Sequence, residues 1–330
     1  MNGVRSPRLT MPSHPIGFGG ASVGNLRRAT TDVESREAID RAWQRGIRYF
    51  DTAPHYGLGL SEARLGAALA PRDRHDYVLS TKVGRLLKPR PEPLSRDDDG
   101  FDVPGDLMRV WDFSLSGVRD SLEQSLGRLG VDHIDILFVH DPDQATPGAA
   151  IEGLESLAVL KAEGLVDAIG VGTNSVDGLE DLMSEQLIDV LMLANRWTLL
   201  DHVAAQSVMT AAQRHGVQVV AAGVFNSGIL ARPWPGADAR FDYGAVPNEV
   251  MGRVRRLADI AHDHGVDLPT AAIAFPLLQP AVVSVVLGMR SASDVDQNVA
   301  RFETGIPRAL WDDLVGAGLV DGAAVASNQG

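Results

Sequence analysis

Eight short apolar runs, each with room for a helix before the next, limit most strongly what this chain can fold into. They are PIGFGGA, IRYFDTA, DYVLSTK, IDILFVH, LVDAIGVG, IDVLMLA, VQVVAAG and AVVSVVLG. Gly or polar residues bound each run, and most are rich in Val, Ile, Leu or aromatics, the composition of parallel strands buried on both faces. A parallel strand rejoins its sheet only through a crossover, and the intervening stretches have helical periodicity. In SREAIDRAWQRG, Ala38, Ile39, Ala42 and Trp43 fall on one face and Gly46 stands where a glycine would end the helix. Val118, Leu122, Leu126 and Leu129 make a similar stripe, again closed by a Gly. Eight such units in 330 residues predict an α/β fold, a closed (β/α)8 TIM barrel in a single domain over 15–330 behind an N-terminal segment 1–14. A Rossmann-type sheet is the rival, but IGFGGASVGN lacks both the G-x-G-x-x-G spacing and an immediately following helix.

Composition narrows the function classes. No apolar run is long enough to cross a bilayer, and MNGVRSPRLTMPSHP lacks the apolar core of a signal peptide, so a cytoplasmic protein without a membrane partner is expected. The chain has no Cys, which removes disulfides, thiolate zinc sites and Cys nucleophiles. A formal net charge of -13 argues against nucleic acid or an anionic membrane as partner and for a small molecule. It leaves open a monomer or a weak homo-oligomer.

Three strand ends carry chemistry. Asp51 closes IRYFD, Lys82 closes YVLSTK and His140 closes IDILFVH, each an ionisable group directly after a run that would be buried. In a barrel the C-terminal strand ends share one face, so these groups should converge, with Lys82 answering the otherwise costly carboxylate of Asp51. The loop after Asp51 can bring the Tyr56 hydroxyl over the strand ends. An adjacent ammonium favours the phenolate, so the Tyr56 hydroxyl is expected to titrate below its usual value. A neutral His140 would hydrogen-bond the same substrate oxygen. The set suits moving a proton on or off an oxygen bonded to carbon, with no metal: His140-Asp141 and His262-Asp263 lack the spacing of a ligand set. The long Pro-rich connection at 83–113 reads as a flap over the site, with Phe101, Trp111 and Phe113 as its aromatic content. The stretch RPWPGADARFDYGAVP is a second candidate wall.

The motifs FDTAPHYG…SE, STKVG, DSLEQSLGRLGVDHIDILFVHDPD, GLVDAIGVGTNS and FNSGIL, in that order, resemble the aldo-keto reductase superfamily from about Pro15 to Phe302. The resemblance implies a barrel that binds a nicotinamide dinucleotide without a Rossmann domain. By the family pattern Asp51, Tyr56, Lys82 and His140 would be the catalytic tetrad, with Tyr56 the proton donor or acceptor. The family commonly has a Lys near Gly288 and an Arg near Asp294 to hold the 2'-phosphate of NADP, and here that clamp is missing. Asp294 would repel a phosphate and leave a ribose hydroxyl acceptable, which implies NAD over NADP, tempered by Arg290. The backbone from Gly288 to Ser291 and the helix start after it would suit the pyrophosphate or the adenine nucleotide. Asn298 matches a family asparagine on adenine or is a helix surface residue. Asn174 is similar to the family asparagine on the carboxamide. The family glutamine falls near Ala194 or Asn195, and the nicotinamide-stacking tyrosine falls at Ala222, so those contacts are altered. Asn195, Phe225 and Gly228 complete the cofactor candidates.

RYFDTAPHYGLGLSE, FVHDPD, NRWTLLD and GVFNSGILA resemble a narrower branch, the NAD-linked sugar 1-dehydrogenases of L-fucose and D-threo-aldoses, with pyridoxal 4-dehydrogenases as near relatives. The implied reaction oxidises a cyclic hemiacetal to a lactone. Candidate substrate contacts are His55, Trp111, Asp141, Trp197 and Phe225; Asp141 either binds sugar hydroxyls or caps a local turn. Other readings are a pyridoxal oxidoreductase, a general aldehyde or ketone reductase, and a nucleotide-sensing regulatory barrel.

Overall fold

The computed structural model describes residues 9–242 and 244–325. Its strands are β1 (Ile16–Gly19), β2 (Tyr49–Asp51), β3 (Val78–Val83), β4 (Arg85–Leu94), β5 (Gly105–Trp111), β6 (Ile134–His140), β7 (Val166–Thr173), β8 (Val190–Ala194), β9 (Gln218–Ala222), β10 (Arg240–Phe241), β11 (Gly244–Ala245) and β12 (Val282–Gly288). Eight of them close a barrel in the order β1-β2-β3-β6-β7-β8-β9-β12, and these are the eight apolar runs of the sequence. Register sets Gly19 beside Asp51, Asp51 beside Ser80, Lys82 beside Phe138 and His140 beside Gly172. No described helix is long and apolar enough to cross a membrane.

The helices form where periodicity places them. Asp32–Gln44 opens on a capping box between Thr31 and Glu34, buries Ala38, Ile39 and Ala42, and gives way to Gly46 at φ +85. Trp43, at the edge of that face, is half-buried and carries the Arg48 guanidinium 3.8 Å from its ring centroid. Leu115–Leu129 is capped by Ser114, buries Val118, Leu122 and Leu129, and ends at Gly130 in the left-handed conformation. Leu126 is only half-buried, and Ser125 takes the inner place.

The chain packs as two compact units. One holds residues 9–173 of those described with Gln186–Leu191 and Gly288–Val295. Its interior includes Ile16, Phe18, Phe50 and Phe138, with the rings of Phe18 and Phe50 6.0 Å apart. The other holds Asn174–Glu185, Met192–Leu287 and the segment from Asp296 onward. Its interior gathers Trp197, His202 and Phe275, with ring centroids 5.0 to 6.3 Å apart.

The 83–113 connection, expected as a long loop forming a flap, holds an antiparallel ribbon of β4 and β5 that belongs to no barrel ladder. Pro89, Pro91 and Pro93 alternate along β4, which has a partner on one side only, so the missing N–H groups cost no ladder bond. Register shifts between Pro89 and Leu94. Gly84, at φ +101, starts the ribbon where a Cβ would meet the Phe113 ring. The second candidate wall is a short ladder of β10 and β11, with Tyr243 outside the described residues.

Candidate active site

The first unit contains all four residues of the expected tetrad. Asp51 ends β2 and Lys82 lies near the end of β3, both almost fully buried. Lys82 Nζ donates to both carboxylate oxygens of Asp51 at 2.8 Å and to the Thr52 carbonyl at 2.9 Å. Ser80 Oγ adds a 2.7 Å bond to Asp51 Oδ1, and the Tyr49 hydroxyl lies 3.0 Å from that Ser80 oxygen. Burial pushes the Asp51 carboxyl up while Lys82 and Ser80 pull it back. Burial also opposes the Lys82 ammonium, but Asp51 and Tyr56 hold it above its ordinary value. Three donor bonds to the carboxylate make this an ion pair, the partner that a strand-ending Asp requires.

Tyr56 reaches the pair through the loop after β2. Gly57 makes that loop possible: at φ +66 its Cβ would strike the Gly24 backbone. Lys82 Nζ lies 4.7 Å from the Tyr56 ring centroid. The phenol is nevertheless pushed up to about 12, because burial outweighs the pull of Lys82 and Asp51 adds to the rise. This corrects the expected downward shift: a neighbouring ammonium whose charge is already matched by a carboxylate cannot overcome desolvation of the phenolate. His140 closes β6 with its ring 5.8 Å from that of Tyr56. Burial, then Lys82, His55, Arg85 and Arg109, hold it well below the usual histidine range, so it is neutral.

Around these lie residues that the sequence singled out and others it did not. His55 packs edge-on against Phe101 at 5.1 Å and against His140 at 5.5 Å. Burial and nearby cations lower its titration to about 2. Asp141 follows His140 at φ +43, but its side chain makes no cap bond to the turn it opens. It pairs with Arg85 at 2.9 Å instead. The Arg85 guanidinium also lies 4.3 Å from the centroid of Trp111, which stacks on Phe113 at 5.7 Å and is 39% exposed. On the ribbon, Arg109 bonds Asp97 at 2.7 and 3.1 Å and the His55 carbonyl at 2.9 Å. Arg27 N donates to Gly100 O at 2.8 Å, and Leu26 forms a bridge with Phe101. Arg85 and Arg109 went unread in the sequence because each needs partners supplied by folding of the ribbon; the Arg85 that directly follows STKVG was the available signal.

At the end of β12, Ser291 and Asp294 form a reciprocal cap. Asp294 N donates to Ser291 Oγ at 3.1 Å, and Asp294 Oδ2 accepts from Ser291 N at 3.2 Å and Arg290 N at 2.9 Å. Arg290 donates its guanidinium to the carbonyls of Leu26 and Arg28 at 2.7 and 3.0 Å. Two of the backbone N–H groups expected to meet a phosphate therefore already meet Asp294, and the Arg290 side chain is committed to the first loop. Gly288 is exposed.

In the second unit, Asn195 Nδ2 donates to Asn174 Oδ1 at 3.0 Å, and Arg196 Nε holds the Asn174 carbonyl at 2.8 Å. Phe225 is half-buried, and Asn226, Ser227 and Gly228 follow it at φ +44, +60 and +99. Asn298 is 6% exposed, so it is not a helix surface residue. Trp197 corrects a substrate assignment: it has no exposed surface, its Nε1 faces the Pro276 carbonyl at 3.4 Å, and it packs on Phe275.

The chain is similar to known proteins along most of its length. The model of the aldo/keto reductase family matches residues 15–316. D-threo-aldose 1-dehydrogenase of a Pseudomonas species is 46% identical over 316 residues, covering 94% of this chain and 95% of the relative. Pyridoxal 4-dehydrogenase of Microbacterium luteolum is 37% identical over 323 residues, covering 92% and 94%. Among solved structures, a holo aldo-keto reductase from Bacillus halodurans superposes with a TM-score of 0.72 at 25% identity, covering 94% of this chain and 95% of that one. A conserved-length match on this scale, with an ionised Asp-Lys pair beside a buried tyrosine and a neutral histidine, leaves one assignment: the chain belongs to the aldo/keto reductase family of oxidoreductases.

Proposed function

We propose that this protein is an NAD-dependent dehydrogenase that oxidises a cyclic hemiacetal to a lactone, with an aldose as substrate and its anomeric carbon as the reacting centre. The observation that carries the reading is the Asp51-Lys82 ion pair set against Tyr56 beside a neutral His140. It is a proton-transfer site for one oxygen on carbon. The 46% identity to a D-threo-aldose 1-dehydrogenase supports the sugar.

A hemiacetal carbon carries a hydroxyl and a hydrogen. The nicotinamide, when bound, supplies the hydride acceptor. Tyr56 takes the hydroxyl proton, and Lys82 stabilises the phenolate that must form first. His140, uncharged, can hydrogen-bond the substrate oxygen without repelling Lys82. Loss of one hydride and one proton turns the hemiacetal carbon into the lactone carbonyl.

The cofactor of this reading is a nicotinamide dinucleotide. Asn174 is half-buried, and the bond from Asn195 fixes which way its amide faces, which suits a carboxamide that both donates and accepts. The 290–294 turn supports NAD over NADP: Asp294 brings a carboxylate and Arg290 is committed to two carbonyls, so a 2'-phosphate would find repulsion and no fork. Gly228 and Asn298 are assigned to the dinucleotide on the family pattern, and Phe225 with them.

The test is initial-rate NADH or NADPH formation with purified protein over L-fucose, D-arabinose, L-galactose, pyridoxal and an aliphatic alcohol. Turnover of sugars with NAD supports the reading. Turnover of pyridoxal alone moves the assignment to the kind of activity named for the 37% identical relative, and no turnover with NAD still bound would overturn it in favour of a nucleotide sensor.

A further inference from the structure

The two ring nitrogens of His140 meet different surroundings. Nδ1 is buried without a hydrogen-bond partner, whereas Nε2 lies 3.5 Å from Asp141 Oδ2. A proton is better placed beside a carboxylate than a ring lone pair is, and only the Nε2–H tautomer faces one in the resting site. It does so at ion-pair distance and not as a hydrogen bond, which leaves the N–H free for substrate. The carboxylate is held in place. Its residue has left-handed backbone at φ +43, its N–H bonds the Gly172 carbonyl at 2.8 Å, and Arg85 donates to Oδ2 at 2.9 Å. Arg85 is in turn fixed by Gln144 Oε1 at 2.9 Å and by the Trp111 ring.

We propose that Asp141, held by Arg85, is a positioning residue that keeps His140 in the neutral Nε2–H tautomer, ready to donate to the substrate oxygen whose proton Tyr56 exchanges. The proposal rests on the role given to His140 above and adds how that role is maintained. Arg85 has a separate task within it. A lone carboxylate beside an imidazole favours the imidazolium, and a charged His140 would face Lys82, Arg85 and Arg109, with His55 also against it. Pairing Asp141 with Arg85 lets the carboxylate orient the ring without charging it. Neither residue touches the reacting atoms in this scheme, so both act through His140.

Nitrogen-15 NMR of protein labelled at histidine tests this, with His140→Asn identifying the signal among the nine histidines. The expected wild-type spectrum has His140 protonated at Nε2 and bare at Nδ1 at neutral pH. Asp141→Ala should raise the Nδ1–H population and lower kcat about tenfold to a hundredfold, with NADH binding unchanged. Asp141→Asn, which keeps an oxygen facing Nε2, should restore the tautomer and most of kcat. Arg85→Gln should keep the tautomer but raise the ionisation of His140 by about one pH unit or more, moving the acid limb of kcat/KM with it. A wild-type Nδ1–H ring, or an Asp141→Ala protein with unchanged tautomer, would overturn the proposal. The spectra need no substrate, so a silent sugar panel with the expected tautomer would count against the substrate reading alone.

Discussion

Tyr56 lies beside an ammonium yet is a weaker acid than a free phenol, rising to about 12 because burial outweighs Lys82. As a resting phenol it is poised to donate, and in the oxidative direction its phenolate is scarce at neutral pH. Oxidation should therefore accelerate with pH, kcat/KM rising about tenfold per unit from pH 7 to 10 without a plateau, since each unit multiplies the phenolate tenfold. A plateau below pH 8 would mean that the base is another group. Tyr56→Phe should reduce turnover at least about a hundredfold while NADH still quenches protein fluorescence. Asp51, Lys82 and His140 were legible because each stands at the end of a run that otherwise reads as buried strand, whereas Tyr56 was legible only from the loop that follows Asp51. The Ser291–Asp294 cap was equally legible as S-x-x-D, but a ligand reading of the same residues concealed it. Asp294→Asn keeps an oxygen for the Ser291 and Arg290 N–H groups while removing the charge, so it should strengthen NADP binding relative to NAD with little loss of stability. An unchanged NADP:NAD ratio of dissociation constants would place the adenosine end elsewhere.

At the scale of elements, the β4-β5 ribbon is where the sequence misled. Three alternating prolines argue against a strand in any sheet interior, and that rule holds here only because β4 is an edge. Besides the backbone contacts of Gly100 and Phe101 with the first loop, side chains join it to the barrel: Arg85 to Asp141 and Arg109 to the His55 carbonyl. The Arg109–Asp97 pair has side chains 8% and 0% exposed, so removing one partner strands a buried charge. Arg109→Met should destabilise the protein by about 3–5 kcal/mol in urea denaturation, and adding Asp97→Leu should recover most of that loss. A single variant no worse than the double would show that the pair is dispensable. Partners of this sort cannot be read from sequence, because Arg85 and Asp141 stand 56 positions apart and meet only after the ribbon has formed.

For the whole molecule, the eight runs sufficed to give the barrel because parallel strands buried on both faces leave so plain a signature. Acid sensitivity is a property of the assembled chain. His55, His140 and His202 all titrate below the usual histidine range, chiefly through burial. A lowered folded value means that the unfolded chain binds protons first, so stability falls as pH drops below about 6.5, each group contributing up to about 1.4 kcal/mol per unit. Asp51 and Asp141, pushed upward, oppose this only nearer the carboxylate range. Urea midpoints at pH 7.5, 6.5 and 5.5 should decline with increasing slope, and a flat series would contradict the buried neutral histidines. The ribbon has one further consequence. Because it lies outside every barrel ladder, it can lengthen or change at positions other than Arg85, Arg109 and their partners without breaking a barrel hydrogen bond, so new preferences can evolve there while the proton-handling strands stay untouched.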